Sequence, residues 1–337
     1  MSISPSQPVR RRVCLAAVMA LSLATRHVMA QARTLLRVST PAVSSDWHAR
    51  MWTVMKEQLE KSAPGQFDMQ INLNAALFKQ GTEPVAMARG NLELATLSAF
   101  DMAKLVPEFS IFTAGYVIRD PVHLMNVFNG PIGEELFKRV SDKMDLTVLA
   151  PIYYGTRQLG LREPRSIKTP ADLKGLKLRM PPGSKDWLFL GAALGATPTP
   201  LAFGEVYLGL KTGTIDAQDN PLPTVKSAKF HEVTKQLTLT SHLVDVLFIA
   251  VSNKLWNGLN PDQKHKLRSA AQAAARYNNE QRLADEEQML DFLKRQGLTV
   301  TKPDVDAFRK SVQATYLQSE QARAWPKGLL DRINATR

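Results

Sequence analysis

Phe203-Gly-Glu-Val-Tyr-Leu-Gly-Leu-Lys-Thr-Gly-Thr-Ile-Asp-Ala-Gln-Asp-Asn220 is the stretch around which this 337-residue chain reads. Val206, Tyr207 and Leu210 fall at i, i+1 and i+4, the apolar face of a short helix. Gly213 stands where a left-handed C-cap is expected, since glycine takes that conformation without steric cost. Ile215-Asp216 then leads into a polar cluster that stops before Pro221. An aromatic residue at one end and an amide-rich loop at the other have two readings. They are packing and capping, or they are two walls of a small-molecule site.

Immediately upstream the local charge is distinctive. Residues 157–185 hold eight Lys or Arg against two acids. Leu176 to Met180 reads as a strand closed by Pro181-Pro182, which puts Arg179 at a strand end. In a parallel sheet such ends face the ligand crevice, and a guanidinium there can grip a carboxylate with two parallel hydrogen bonds. The alternative for Arg179 is a surface ion pair with Asp172 or Asp186. Arg157, which follows Gly155-Thr156, has the alternative of a solvated strand-end arginine. A short helix starts at Thr169-Pro170, and another runs on to Leu194. Thr197-Pro-Thr-Pro200 reads as a stiff connector into the opening stretch.

Further out, the N-terminal third alternates. A strand over Thr34 to Thr40 is followed by a helix capped by Ser45, with Trp47, Met51, Val54, Met55 and Leu59 at helical spacing. Phe67, Met69, Ile71 and Leu73 alternate with polar residues as a strand does. A helix from Glu83 to Arg89 and a strand from Leu92 to Leu97 follow. Strand, helix, strand, helix, strand argues for an α/β fold with a mostly parallel sheet. Two helical segments flank Gly130-Pro131, and Asp145 to Tyr154 is an apolar strand. Downstream, Pro223 to Val233 reads as helix, with strands at Leu237 to Thr240 and Val244 to Ser252. From Pro261 a helical pattern runs unbroken to Gln296, long enough to bend or to span two domains. A strand at Leu298 to Thr301 and a helix from Val305 to about Glu320 complete the pattern.

Length predicts two domains, and 44% apolar with 22% charged residues describes an ordinary globular composition. Arg10-Arg11-Arg12 precede an apolar run from Val13 to Ala24, with small residues at Ala30 and Ala32: a secretory signal peptide over 1–32. The run is too short to span a bilayer. Cleavage fits after either Ala30 or Ala32, and the consecutive arginines leave a twin-arginine export route open. The one cysteine, Cys14, lies in that segment, and Arg11 argues against lipoprotein anchoring there. A mature chain would therefore hold no disulfide or thiol nucleophile. Losing four arginines lowers the formal charge from +12 to +8. That excess suits small anions; without an arginine-rich tail or interleaved aromatic-basic run, nucleic acid is not an expected partner.

Enzyme signatures are absent: no Gly-x-Ser-x-Gly, P-loop or Gly-x-Gly-x-x-Gly. The histidines at 48, 123, 231, 242 and 265 lack metal-ligand spacing and read as surface or core residues. Neither a catalytic residue nor a metal or other cofactor is expected.

Three motifs carry a resemblance. Gly155-Thr156-Arg157-Gln158 comes first, then Asp172-Leu-Lys-Gly-Leu-Lys-Leu-Arg179-Met-Pro181, then Leu194-Gly-Ala-Thr-Pro-Thr-Pro200 running into Phe203 to Leu222. Together they resemble the periplasmic solute-binding subunits of tripartite ATP-independent periplasmic (TRAP) transporters, DctP type. The match is dense from about 150 to 255 and diffuse elsewhere. The resemblance implies a two-lobed Venus-flytrap binding protein with mixed sheets and a long lobe-bridging helix. It implies lobe I over 33–154 plus about 246–285, lobe II over 155–245, and 286–337 packing across both. It implies capture of a small organic acid by a monomer and delivery to integral membrane subunits driven by an ion gradient. The alternatives are the binding protein of an ATP-driven importer, or a periplasmic enzyme on a bilobal scaffold.

Carried over residue by residue, the resemblance makes Arg179 the clamp on the substrate carboxylate and Arg157 its support. Asn220 would hydrogen-bond the same carboxylate and Phe203 would pack on the ligand. Glu83 and Trp187 complete the expected contacts. The chain departs from the family pattern at Asn74-Ala-Ala-Leu-Phe-Lys-Gln-Gly81, where a Pro-Gly-Gly-like turn is usual. The lobe that selects the non-carboxylate end is therefore expected to differ, with Trp47, Phe78 and Trp187 as candidate aromatic walls suited to an aromatic or branched acid.

Overall fold

A computed structural model describes Met1 and residues 33–337; the expected signal segment otherwise lies outside the described residues. Two long strands organise the molecule: β4 (Leu146–Leu161) and β8 (Gln236–Ser252) run antiparallel along almost their whole lengths. Their length lets each serve both ends of one sheet. At one end β8 pairs with β3 (Leu94–Ser98), which continues to β1 (Thr34–Ser39) and β2 (Phe67–Asn72). At the other end β4 pairs with β7 (Ala217–Pro221), followed by β5 (Lys177–Met180) and β6 (Thr197–Pro200). The order is β2-β1-β3-β8-β4-β7-β5-β6, with β9 (Thr299–Thr301) on β8. The two lobes thus share one mixed nine-stranded sheet.

The β4–β8 register shifts between Tyr153 and Gly155 and again between Arg157 and Leu159. Gly155 adopts φ 131°, and a Cβ there would stand 2.4 Å from Pro221 Cβ. Only glycine lets β4 pass β7 so closely at this bend.

The helix Pro261–Arg295 follows a capping box formed by Asn260 and Gln263. Its 35 residues extend about 52 Å at 1.5 Å per residue. Leu267, Ala270, Ala271 and Ala274 pack with Leu36, Val38, Trp52, Ile152 and Ile249. Met289 and Leu293, about four to seven turns later by the helical repeat, pack with Val206, Leu210, Ile215 and Phe230. One helix therefore closes two apolar cores. A third core joins Phe109, Phe128 and Phe248 to Leu178, Trp187 and Phe308. No helix among the described residues is long and apolar enough to cross a membrane.

Several local expectations need correction. Asp46, not Ser45, caps the helix Trp47–Ser62, accepting from the His48 amide at 3.0 Å. Thr197–Pro200 is the edge strand β6 rather than a connector; prolines are tolerated there because one side of an edge strand needs no donors. The polar cluster 217–220 is not a loop but the buried strand β7. The helix expected to reach Val233 stops at Ser227, and left-handed Lys229 (φ 59°) turns the chain into a 3-10 turn. Gly213 caps the helix Val206–Thr212 with φ 80°, as expected.

Candidate functional site

The strands deliver polar side chains to one cavity between the two ends of the sheet. Its wall includes Arg157 from β4, Arg179 and Pro181 from the end of β5, Asn220 from β7 and Phe203. Facing them are Asp46, His48, Gln80, Glu83, Thr96, Ser98, Phe100 and Asp101. The space between these walls, open solvent included, is about 650 Å³.

The two arginines are both buried but differ in their partners. Arg157 Nε donates to Asp245 Oδ2 at 2.7 Å, and Nη1 donates to the Asp219 carbonyl at 2.6 Å. Its guanidinium lies 4.7 Å from the Trp187 ring centroid and 5.4 Å from that of Tyr154. Burial works against its charge, but Asp245 and Asp219 outweigh burial and hold the pKa above its ordinary value. Asp219 also lies 3.3 Å from His242 Nε2.

Arg179 is 2% exposed and makes no ion pair among the described residues. Its Nε donates to the Leu201 carbonyl at 2.7 Å and Nη2 to Gln80 Oε1 at 3.4 Å. Nη1 has no partner. Burial pushes this guanidinium down to about 10, with Asp219 offsetting only part of the loss and Arg157 adding to it. Neither surface alternative holds: Arg179 does not pair with Asp172 or Asp186, and Arg157 is not solvated. A buried cation with an idle donor has the chemistry to hold an anion.

Asn220 is 1% exposed; its Nδ2 donates to Gln218 Oε1 at 2.6 Å, which leaves Oδ1 unengaged. Phe203 is half-buried, edge-on to Phe230 at 5.6 Å.

The facing wall is polar. Burial pushes the Glu83 carboxyl up to about 7, and the charge of Asp101 adds to the effect. Asp101 accepts from Ser98 Oγ at 2.7 Å and pairs with Lys104 Nζ at 3.1 Å. Burial likewise pushes His48 down to about 4, so the ring is neutral; its Nε2 lies 3.1 Å from Thr40 Oγ1. Burial works to raise Asp46, but the charge of Arg282, the neighbouring His48 and the hydrogen bonds from the His48 amide and Ser227 together outweigh it and hold the carboxyl below its ordinary value. Thr224 Oγ1 and Ser227 Oγ, on the helix Leu222–Ser227, donate to Asp46 at 3.1 and 3.0 Å, while Arg282 ties the same carboxylate to the long helix.

Of the residues singled out from sequence, Arg157, Arg179, Asn220, Phe203 and Glu83 share this cavity. Trp187 does not line it; the indole is 1% exposed, backing Arg157 and packing on Phe100. Trp47 donates to Asp285 and Phe78 packs on the core, so neither is a cavity wall. The aromatic rings that line the cavity are instead Phe100, Tyr154 and Phe203, while Trp187 supports Arg157 from behind. Gln80, Asp46, Thr96, Ser98 and Asp101 were not anticipated. For Gln80 the one signal was its place in the divergent segment 74–81.

The family model described as bacterial extracellular solute-binding protein, family 7 (DctP), matches residues 38–322. The sialic acid-binding periplasmic protein SiaP of Vibrio cholerae is 30% identical over 263 residues, 78% of this chain and 81% of that protein. A crystal structure of a TRAP periplasmic solute-binding protein from Roseobacter denitrificans, with bound 3-deoxy-D-manno-oct-2-ulosonic acid, is 45% identical. It superposes with a TM-score of 0.87 over 90% of this chain and 100% of its own. The 2,3-diketo-L-gulonate-binding periplasmic protein YiaO of Escherichia coli is 32% identical over 74% of this chain and 76% of its own length. Matched over most of its length by model, sequence and fold, the chain belongs to the DctP family of extracellular solute-binding proteins, the periplasmic subunits of TRAP transporters.

Proposed function

We propose that the protein captures a polyhydroxylated organic acid in the periplasm, as a monomer, and hands it to the membrane subunits of a TRAP transporter. The observation that carries this reading is Arg179, a buried guanidinium on the cavity wall with no ion pair among the described residues. The ligand carboxylate takes its free Nη1, with Arg157 adding positive potential from behind and Asn220 contributing its unengaged amide oxygen to a neighbouring hydroxyl. Phe203 covers the apolar edge of the ligand. On the facing wall Glu83, half protonated near pH 7, both donates and accepts, as do Ser98 and Thr96. That set suits hydroxyl groups rather than an aromatic or branched tail. The sugar acid bound by the relative at 45% identity supports the same class.

The lobes divide as 33–154 with about 246–285, and 155–245, with 286–337 packed across them. Residues 1–32 act as a cleaved signal peptide. A ligand touching both walls favours the closed state by its differential affinity. The test is a thermal-shift panel of 3-deoxy-D-manno-oct-2-ulosonic acid, glucuronate, galactonate and pantoate, with the neutral sugars and free amino acids as controls. Stabilisation by hydroxylated acids alone, followed by calorimetric binding at one site, is the expected result. Stabilisation by neutral sugars equal to that by their acids would remove the carboxylate from the mechanism.

A further inference from the structure

The segment after β2 is held by an unusual turn. Asn74 and Ala75 are both left-handed, with φ 56° and 55°, a conformation that costs energy for residues other than glycine. Their amides donate to Ala42 and Thr40 carbonyls at 3.1 and 2.9 Å, fixing the turn against the chain that leaves β1. The segment that this turn directs ends at Gln80-Gly81, where Glu83 Oε2 accepts from the Gly81 amide at 2.7 Å.

Gln80 then reaches across the cavity. Its Oε1 accepts from the Phe203 amide at 2.9 Å and from Arg179 Nη2 at 3.4 Å, residues 123 and 99 positions away. One neutral oxygen thus receives two donors from the opposite wall. Gln80 and Phe203 also line the groove outside the cavity, with Pro41, Ala202 and Phe230. Their contact is therefore a seam between the enclosed site and solvent.

We propose that Gln80 is the positioning residue of this binding site: a neutral acceptor that aims the Arg179 fork without neutralising it and seals the cavity over the bound acid. The identity of the residue follows from the chemistry. A carboxylate in this place would satisfy Arg179 internally and repel the ligand. An apolar residue of the same size would leave the Phe203 and Arg179 donors unmatched each time the walls meet, and unmatched buried donors are costly. Because the bonds cross between walls, they exist only when the site is shut, so their contribution lies in release rather than capture.

This inference rests on the carboxylate reading of Arg179, and the experiment separates the two. Wild type, Gln80→Leu and Gln80→Glu are compared by stopped-flow and calorimetry with whichever acid of the four-member panel gives the largest thermal shift. Gln80→Leu is expected to release ligand about tenfold faster with an unchanged association rate, the loss of roughly one net hydrogen bond. Gln80→Glu is expected to lose at least about 100-fold in affinity, because the new carboxylate occupies Arg179. Both ligand-free variants should melt with the wild type. Gln80→Glu binding within threefold of wild type overturns the proposal. So does an equal loss in both variants with a lowered ligand-free melting temperature, since that is a folding role. A wild type that binds none of the acids overturns the carboxylate reading itself, before any variant is compared.

Discussion

Replacing Arg179 with methionine keeps an unbranched chain of similar reach and removes the charge, and the structure gives opposite signs for its effects on binding and on stability. With the two walls together the guanidinium is 2% exposed, and burial pushes its pKa down to about 10. At about 1.4 kcal/mol per unit, that depression disfavours the charged folded state by roughly 3 kcal/mol. The sign follows from linkage. A base whose folded pKa lies below its unfolded value destabilises the fold at every pH below the folded value, which includes neutral pH. Arg179→Met is therefore expected to leave ligand-free stability unchanged or raise it, by up to about 3 kcal/mol, as apolar replacements of buried charges often do. Binding moves the other way. Removing one partner of a buried, hydrogen-bonded charge pair costs about 2–5 kcal/mol, or roughly 30-fold to several thousand-fold in affinity. Differential scanning calorimetry without ligand and titration calorimetry with a binding sugar acid read the two effects on one sample. Affinity within threefold of wild type would refute the clamp. A large fall in ligand-free melting temperature would refute the claim that Arg179 stands unpaired.

Arg157→Met should behave in the reverse manner. It strands Asp245 and the Asp219 carbonyl in the core, so urea unfolding should show a loss of about 3–5 kcal/mol; unchanged stability would sink the pairing. Ligand-free stability should fall as pH rises from about 5 to 7. Glu83 has a folded pKa near 7 against an ordinary 4.5, so the folded state binds the extra proton and loses that advantage on deprotonation, by at most about 3 kcal/mol. Glu83→Gln should flatten this slope, and a slope unaltered by the substitution would place the titration elsewhere. Gly155→Ala forces a side chain into φ 131° and onto Pro221, with about 1–3 kcal/mol of backbone strain alone; an unshifted urea midpoint would show that the β4–β7 crossing relaxes freely.

What could be read from the sequence is what short-range physics decides. The stop at Gly213, the alternation at Phe67 to Leu73 and the helix start at Pro261 depend on neighbours a few residues away, and each has its expected form. The misreadings cluster at the site. Gln218, Asp219 and Asn220 read as a loop because amides and carboxylates rarely fill a central strand, yet they are 0%, 0% and 1% exposed there. Burying three such groups in a sheet is costly unless they hold something. The break in local rules was therefore itself the mark of the site.

The two arginines show where sequence reasoning ends. Both stand in β-strands within one basic segment, and nothing local distinguishes them. Asp245, 88 residues downstream, takes the Nε of Arg157, whereas among the described residues Arg179 donates to the Leu201 carbonyl and the amide oxygen of Gln80 and meets no carboxylate. Which cation is spent inside the protein and which is left for a ligand is thus set by the β4–β8 register and by the turn at Asn74-Ala75. If Arg179 holds the acid group as proposed, the divergent 74–81 segment, expected to select the far end of the ligand, bears on the carboxylate end as well, because Gln80 Oε1 accepts from Arg179. Selection of the acid group and of its substituents is consequently coupled through one side chain, and changing the segment to alter one should alter the other.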